Sequence, residues 1–159
     1  MSFPERRGAN RGLLIVSIVA SALAVSACTT TKAEVTSDAV IVKSGDGGSV
    51  YETLRKYDAW AAQGKRIIID GNMISSDAFA AFSAPNACYT RNAVFSPHAV
   101  SYVGLIPHYG ATEDFTRMLP VPLQNKFRSS PHYYNWITTA HFDYDDLIEI
   151  WAEGACENQ

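Results

Sequence analysis

Three short motifs carry, in chain order, the groups that acyl transfer on a serine requires. The first is the glycine pair Gly47-Gly48, the second is Ser75 at a predicted helix start, and the third is His98 just after a predicted strand. Such chemistry needs backbone N–H groups that stabilise an oxyanion, an exposed nucleophile and a general base. The ordered motifs therefore predict a serine hydrolase in which Ser75 is the nucleophile and His98 is the base.

The backbone N–H groups of Gly48 and Ser76 are the predicted oxyanion donors, aided by the dipole of the helix that begins near Ser75. Each motif also has a plainer interpretation. A serine at a helix start often only caps the helix, a glycine pair often only makes a turn, and a histidine at a strand end often has only a structural role. The sequence alone leaves both interpretations open.

Residues 40–98 resemble the proteolytic subunit of Clp protease and its relatives in the crotonase-like superfamily, above all small exported bacterial proteins. In that family a glycine turn helps to form the oxyanion hole, a Gly-x-x-x-Ser motif carries the nucleophile, and a later strand ends in the catalytic histidine. Gly47-Gly48 matches the turn, residues 71–75 match the nucleophile motif, and residues 95–98 match the histidine strand.

The resemblance implies a particular architecture and activity. It implies an α/β fold, specifically a Clp/crotonase-like spiral of strand–helix units with a helical C-terminal part. It also implies a peptidase-like activity that uses no cofactor. Relatives of this fold assemble into rings or trimers, so the resemblance allows a homo-oligomer.

Several positions depart from the family pattern. Asp77 follows the two serines where the family has small or apolar residues, and Asp46 stands where the peptidases usually have proline. The aspartate that completes the family's triad has no clear motif here. Its candidates are Asp143, Asp145 and Asp146. A Ser–His pair without an orienting acid can persist without useful chemistry. The alternative function is therefore a catalytically inactive fold that serves as an envelope binding or assembly module.

A metal site is the competing chemistry. Imidazole ligands could come from four histidines and carboxylate ligands from the acidic cluster before the last predicted helix. The histidines are His98, His108, His132 and His141. The chain has no His-Glu-x-x-His motif and no paired Cys-x-x-Cys motifs, which are the spacings typical of zinc sites. The sequence therefore predicts no metal.

The N-terminus predicts a lipoprotein signal peptide over residues 1–27. Three arginines precede an apolar run over residues 13–25, and small residues lead directly to Cys28. A basic segment, a short apolar segment and small residues before the cut are typical of an export signal. The run is shorter than the roughly 20 residues that a membrane-spanning helix needs.

We therefore expect Cys28 to be lipidated, with palmitate among its acyl groups, and to become the new N-terminus. The protein would then be held by its lipid at a membrane of the bacterial cell envelope, facing the periplasm. Thr29 follows the cysteine, which favours the outer membrane over the inner one.

Cysteine usage is consistent with export. If Cys28 takes the lipid, Cys88 and Cys156 remain as one pair. An exported compartment oxidises such pairs, so a disulfide bond between them is predicted. Two buried thiols are the alternative.

Loss of the signal would leave 132 residues, enough for one hydrophobic core but not two. Residues 28–37 are small and polar and predict a flexible tether, and residues 38–159 predict the folded domain. The signal carries three arginines and one glutamate, so the formal net charge falls from −3 to −5 on its removal. An acidic domain without a basic run argues against nucleic acid as a partner. The expected partners are the membrane, through the lipid, and a peptide or another envelope protein.

Apolar periodicity predicts alternating strands and helices with parallel strand pairing. Ser49 and Glu52 have the spacing of a capping box at the start of the first helix. The predicted strands cover residues 39–43, 66–70 and 93–96. The predicted helices cover residues 50–64, 75–83, 112–118, 122–127, 133–139 and 145–152.

Overall fold

A run of β-branched residues around position 68 builds the centre of a mixed five-stranded sheet. The computed structural model describes residues 31–158, so the predicted signal peptide and Cys28 lie outside the described residues. The strands are β1 (Thr31–Val35), β2 (Ala39–Gly45), β3 (Arg66–Ile74), β4 (Ala87–Tyr89), β5 (Val94–Ser96), β6 (Ser101–Tyr102) and β7 (Ile106–Pro107). The sheet order is β1-β2-β3-β4, with β5 also paired to β3, and β6 and β7 form a separate hairpin. The β1–β2 pair is antiparallel, whereas β3 pairs in parallel with β2, β4 and β5.

The described range contains five α-helices and three short 3₁₀ helices. The α-helices are α1 (Val50–Ala62), α2 (Ser76–Ser83), α3 (Tyr109–Thr116), α4 (Val121–Ser129) and α5 (Tyr144–Trp151). The 3₁₀ helices are Pro131–Tyr133, Ala152–Gly154 and Cys156–Asn158. None of the helices in residues 31–158 has the length and apolar character needed to cross a bilayer. The predicted mixture of strands and helices with parallel pairing is confirmed.

The predicted strand–helix–strand unit β2–α1–β3 is present, and both of its strands are longer than predicted. Ser49 caps α1 by accepting a hydrogen bond from the backbone N–H of Glu52 at 3.4 Å. β3 continues beyond the predicted end at Asp70 because it changes partners. Its first half pairs with β4, and residues 72–74 pair with β5. β4 was not predicted, because its residues Ala87, Cys88 and Tyr89 include no β-branched side chain.

The hydrophobic core lies against β3 and is rich in aromatic side chains. Phe82 of α2 packs on Phe95 of β5 with ring centroids 4.9 Å apart. Phe95 also exchanges two backbone hydrogen bonds with Phe142, of 2.9 and 3.0 Å. The chain beyond α4 therefore returns to the outer edge of β5 and fixes the strand that precedes His98.

Asp70 positions the segment between β4 and β5. Its carboxylate accepts hydrogen bonds from Lys43 Nζ at 2.7 Å, Thr90 Oγ1 at 2.5 Å and Asn92 Nδ2 at 2.8 Å. These donors lower the pKa of Asp70 to about 2, with Lys43 as the largest cause. An ionised Asp70 thus links β2, β3 and the start of β5.

Two predicted segments differ from the structure. Residues 31–35, expected to belong to the flexible tether, form strand β1 on the edge of the sheet. Polar edge strands lack the apolar alternation that identifies a strand, so the local pattern did not reveal it. Residues 133–139, expected to be helical, form no α-helix. Asn135 Oδ1 instead accepts the backbone N–H of Ile137 at 2.9 Å, a side-chain turn that competes with a helix.

The structure joins the two cysteines that the sequence pairs. Cys88 of β4 and Cys156 form a disulfide with Cα atoms 4.8 Å apart. Next to it, Tyr89 and Ala155 form an isolated parallel bridge. The C-terminal 3₁₀ helices are thereby attached to the edge of the central sheet.

Candidate active site

The carboxyl ends of β3 and β5 bring Ser75 and His98 to one cavity. Ile74 is in register with Ser96, and the backbone N–H of Ser75 donates to the carbonyl oxygen of Ser96 at 3.1 Å. His98 lies two residues beyond the end of β5. Parallel strands end at the same edge of a sheet, where binding sites of α/β proteins are commonly found. Both side chains line the same cavity.

Ser75 has a backbone conformation that serine rarely adopts. Its φ is 56° and its ψ is −122°. These are the angles of the first central residue of a type II′ turn, a position that favours glycine. Ser75 stands at the N-cap position of α2, yet its side chain makes no capping hydrogen bond. The plain capping interpretation is therefore wrong for Ser75, whose sharp strand-to-helix turn is of the kind that exposes a nucleophile.

The glycine turn packs directly against Ser75. Gly47 has a φ of 85° and Gly48 has a φ of 122°. A Cβ atom at position 47 would lie 2.6 Å from Ser75 Cβ and 3.1 Å from Ser75 Oγ. Glycine is required at this position both by its backbone angles and by the close approach of the serine.

The residues of the two predicted oxyanion donors, Gly48 and Ser76, directly follow Gly47 and Ser75 in the chain. Gly48 and Ser76 both line the cavity. Within residues 31–158, neither backbone N–H donates a hydrogen bond to another residue. The side-chain hydroxyl of Ser76 has a separate partner, since it shares a 3.1 Å hydrogen bond with Thr53 in the protein interior. Two residues that line the cavity with Ser75 thus have backbone N–H groups that no other described residue uses.

Asp77 holds the glycine turn from behind. Its side chain is completely buried and accepts a hydrogen bond from the backbone N–H of Gly47 at 3.1 Å. Three side chains complete its shell: Thr31 Oγ1 at 2.9 Å, Tyr57 OH at 3.0 Å and Lys56 Nζ at 3.2 Å. Such partners offset the loss of hydration that a buried carboxylate suffers.

The sequence identified Asp77 as a departure from the family pattern and as an acidic residue suited to the dipole at a helix start, and did not assign it this role. The signal that could have found it is a charged residue in a helix whose other residues are small, apolar or hydroxylic. Burial and the neighbouring Asp77 carboxylate raise the pKa of Tyr57, so its hydroxyl stays protonated and donates to Asp77.

His98 is oriented by a backbone carbonyl group. Its Nδ1 atom lies 2.7 Å from the carbonyl oxygen of Ala99. Because a carbonyl oxygen can only accept, Nδ1 carries the proton and Nε2 presents a lone pair. Burial lowers the pKa of His98 below its ordinary value, and the hydrogen bond to Ala99 opposes this only partly. At neutral pH the ring is therefore an uncharged base.

The three aspartates considered for the third acid lie at the start of α5, where the carboxylates of Asp143 and Asp146 cap the helix. Asp143 Oδ1 accepts the backbone N–H groups of Asp145 at 3.0 Å and Asp146 at 3.2 Å. Asp146 in turn accepts the backbone N–H of Asp143, which completes a capping box. Across residues 31–158, no carboxylate makes a hydrogen bond to His98, and His98 makes none to Ser75.

The cavity measures about 950 Å³. Thirteen residues line it: Gly48, Ser49, Val50, Ser75, Ser76, Phe79, His98, Val100, Ser101, Val103, Gly104, Trp136 and Ile137. None of these is Asp, Glu, Lys or Arg. The sequence did not reveal the apolar part of this lining, because its members come from four separate segments of the chain.

Two of the other histidines, His108 and His132, have local partners. His108 Nδ1 accepts the backbone N–H of Ala111 at 2.9 Å and caps α3, and His132 contacts the hydroxyl of Thr138 at 3.1 Å. Within the described residues, no group of three or more His, Cys, Asp or Glu side chains is arranged to hold a metal ion.

Comparison with known proteins gives no match to a family model, to a curated protein sequence or to a solved structure. What the structure defines is a mixed α/β domain with a serine, a histidine and a glycine turn at one cavity. The function of this site is therefore inferred from its geometry.

Proposed function

We propose that this protein is a serine hydrolase, peptidase-like in its machinery, with Ser75 as nucleophile and His98 as general base. The observation that carries the proposal is the backbone of Ser75. A φ of 56° is unfavourable for serine, and the side chain gains no capping hydrogen bond in return. Strain of this kind persists where the surrounding structure enforces it, and it concentrates at active sites.

The reaction would proceed by acyl transfer. Ser75 Oγ attacks the carbonyl carbon of the substrate while His98 Nε2 takes the hydroxyl proton. The carbonyl oxygen becomes an anion that the N–H groups of Gly48 and Ser76 stabilise. The intermediate then collapses, the bond to the leaving group breaks, and His98 gives its proton to that group. Attack by water on the acyl-enzyme repeats the sequence and restores Ser75.

Two other groups would position this machinery. The carbonyl group of Ala99 takes the place of the usual third acid, since it fixes the tautomer of His98 at a distance of 2.7 Å. Asp77 fixes the glycine turn through the N–H of Gly47. The missing hydrogen bond between Ser75 and His98 does not exclude the pair, because such bonds often tighten only when substrate binds.

We further propose that the domain is a lipid-anchored envelope protein with a Clp/crotonase-like fold. The parallel β2–β3 and β3–β5 pairs, linked through α1 and α2, support that fold. Lipid on Cys28 would leave only two residues between the anchored residue and β1, which starts at Thr31. The domain would then lie directly at the membrane surface.

One observation favours the alternative of a catalytically inactive binding or assembly module. In the described part of the chain, His98 has no carboxylate partner and makes no hydrogen bond to Ser75. An inactive relative would keep the fold and the cavity and bind an envelope partner there.

Labelling with a fluorophosphonate probe distinguishes the two functions. The processed, disulfide-bonded protein would be treated alongside Ser75→Ala and His98→Ala. Two exposed residues that do not line the cavity provide matched controls, Ser129→Ala and His141→Ala. The hydrolase predicts labelling that both site variants lose and both controls keep. A folded protein that takes no label would contradict the hydrolase and leave the binding module.

A further inference from the structure

The cavity beside Ser75 is apolar and carries no formal charge. Six of its lining side chains are hydrocarbon or aromatic: Val50, Phe79, Val100, Val103, Trp136 and Ile137. The others are glycines, serines and His98. Burial lowers the pKa of His98, so this ring is uncharged at neutral pH as well. A charged substrate group would find no counter-ion among these residues and would lose its hydration.

The β6–β7 hairpin extends the apolar surface to the rim of the cavity. Val103, Leu105 and Ile106 are 88%, 69% and 62% exposed, and Ile137 across the rim is 76% exposed. Clusters of exposed apolar side chains on a small domain mark binding surfaces. These exposed side chains extend the apolar lining of the cavity away from Ser75.

The hairpin also contains a strained residue at the cavity. Val103 has a φ of 44°, which is a genuine outlier for a β-branched side chain. Three non-glycine residues in the described chain have positive φ, and two of them, Ser75 and Val103, line this cavity. Backbone strain is therefore concentrated at the nucleophile and at the apolar wall.

We propose that the acyl group transferred to Ser75 is a long, uncharged hydrocarbon chain, so that the substrate is a fatty-acyl ester. This inference rests on the proposed serine-hydrolase function and names its substrate class. A cavity of about 950 Å³ is at the upper end of the range for ligand pockets and exceeds what one amino-acid side chain fills. A long hydrocarbon chain can be accommodated in this volume and matches the lining.

A polypeptide fits the same lining less well. Each peptide unit brings an N–H and a carbonyl group, and each of these needs a hydrogen-bond partner once buried. The wall formed by Val100, Val103, Trp136 and Ile137 presents mainly apolar side chains to such groups. A hydrocarbon chain makes no such demand.

The chemistry is hydrolysis without any change of oxidation state. Attack by Ser75 Oγ forms an ester bond to the acyl carbon and breaks the bond to the alcohol oxygen, which takes the proton from His98. Water then adds to the acyl-enzyme, releases the fatty acid and returns the proton to Ser75. Water is the sole co-reactant.

The test is a chain-length series of p-nitrophenyl esters, from acetate to dodecanoate, below their micelle concentrations and with the processed, disulfide-bonded protein. We expect kcat/KM to rise by about three- to fourfold for each added methylene until the chain fills the cavity, the ratio expected when one CH₂ is buried. Peptide p-nitroanilides with an apolar residue before the scissile bond form the comparison arm.

Val103→Asp is the diagnostic variant. It places a carboxylate at the cavity, and aspartate tolerates positive φ better than valine does, so the hairpin should fold. Val121→Asp is the matched control, because Val121 is 65% exposed and lies in the first turn of α4 away from the cavity. We expect Val103→Asp to lower kcat/KM for dodecanoate at least tenfold and for acetate less than about twofold, whereas Val121→Asp changes neither.

Failure of this inference is distinguishable from failure of the proposed function. If a short fluorophosphonate labels Ser75 but kcat/KM does not change with ester chain length, the fatty-acyl substrate is wrong and the proposed hydrolase function is retained. Preference for the peptide anilides over every ester would also overturn it. If no probe of any length labels the folded protein, the hydrolase and this substrate class are both wrong.

Discussion

The carboxylate of Asp77 accepts the backbone N–H of Gly47 at 3.1 Å, so the second residue of α2 holds the turn that abuts Ser75. Space is tight on both sides of this bond. A Cβ at Gly45 would lie 2.4 Å from Asp77 Cβ, and one at Gly47 would lie 2.6 Å from Ser75 Cβ. The end of β2 and the start of α2 thus form one packed unit with the proposed oxyanion donors at its surface.

Loss of the Asp77 carboxylate should weaken the fold as well as the site. We expect Asp77→Ala to lower the free energy of unfolding by about 3 kcal/mol, because it leaves Tyr57, the Gly47 N–H and the partly exposed Lys56 without their acceptor. The free energy of unfolding of Asp77→Asn should lie between those of Asp77→Ala and the wild type. Urea denaturation measures it for both variants. Asp58→Ala, an exposed change on α1, should stay within about 0.5 kcal/mol of wild type, and an equal loss there would argue against a special role for Asp77.

Replacement of Ser75 by glycine should stabilise the protein while it removes the nucleophile. Glycine adopts a φ of 56° without strain, and we expect Ser75→Gly to raise the free energy of unfolding by about 1 kcal/mol. Ser75→Ala keeps the strain and should not stabilise. Ser129→Gly at the end of α4 is the matched control and should destabilise by about 0.5 to 1 kcal/mol. A destabilised Ser75→Gly would mean that the Ser75 side chain contributes to folding.

The labelling rate of Ser75 should depend on the protonation of His98. Burial lowers the pKa of His98 from its ordinary value of 6.5, and only the neutral ring can act as base. The rate of fluorophosphonate labelling should therefore rise with pH through a midpoint below 6.5 and then level off. The free energy of unfolding should change with pH in the same direction. Because His98 binds protons more readily in the unfolded chain, its contribution to stability is present above pH 6.5 and is lost as the pH falls. A midpoint at or above 6.5 would contradict the burial of this ring.

Removal of the disulfide should destabilise the domain strongly. The bond joins residues separated by 68 positions, and closure of such a loop in the unfolded chain corresponds to about 4 kcal/mol. We expect the Cys88→Ala/Cys156→Ala double variant to lose stability of this order in urea. Amide exchange should increase most in the C-terminal 3₁₀ helices. Unchanged exchange there would mean that the Tyr89–Ala155 bridge alone attaches this segment.

The proposed lipid anchor is tested at Cys28. Cells grown with an alkyne-labelled fatty acid should incorporate the label into the wild-type protein, and Cys28→Ser should lose it. The variant should also accumulate at the mass of the unprocessed chain, since cleavage of such signals follows lipidation of the cysteine. Ser129→Ala, an exposed change that leaves all three cysteines in place, is the control that should keep the label. Incorporation into Cys28→Ser would contradict the anchor.

Local sequence patterns were sufficient where a segment makes most of its contacts with its neighbours in the chain. The helix after Ser49 and the strand through Ile67 and Ile69 were predicted because capping residues and β-branched runs act over a few positions. β1 and β4 were missed because neither has the run of β-branched residues that identifies β2 and β3. The expected helix at residues 133–139 was wrong because a single side chain, Asn135, offers the backbone a turn.

The candidate site divides in the same way. Ser75, His98 and the glycine pair were found by residue type and order, which are properties of the chain itself. Their relative placement depends on the parallel register between Ile74 and Ser96, which no local pattern encodes. The carbonyl partner of His98 was also beyond the sequence, because any residue can supply a carbonyl oxygen.

By itself, the sequence determined the elements and the chemical groups: a strand–helix order, a cysteine pair, and a serine and a histidine near strand ends. Only the tertiary structure decided that Ser75 has a positive φ, that Asp77 holds the glycine turn, and that an uncharged apolar cavity opens beside them. The physical reason is one of range. Hydrogen-bonding propensity and apolar periodicity act between residues that are close in the chain, whereas strain, burial and cavities arise when distant segments pack together.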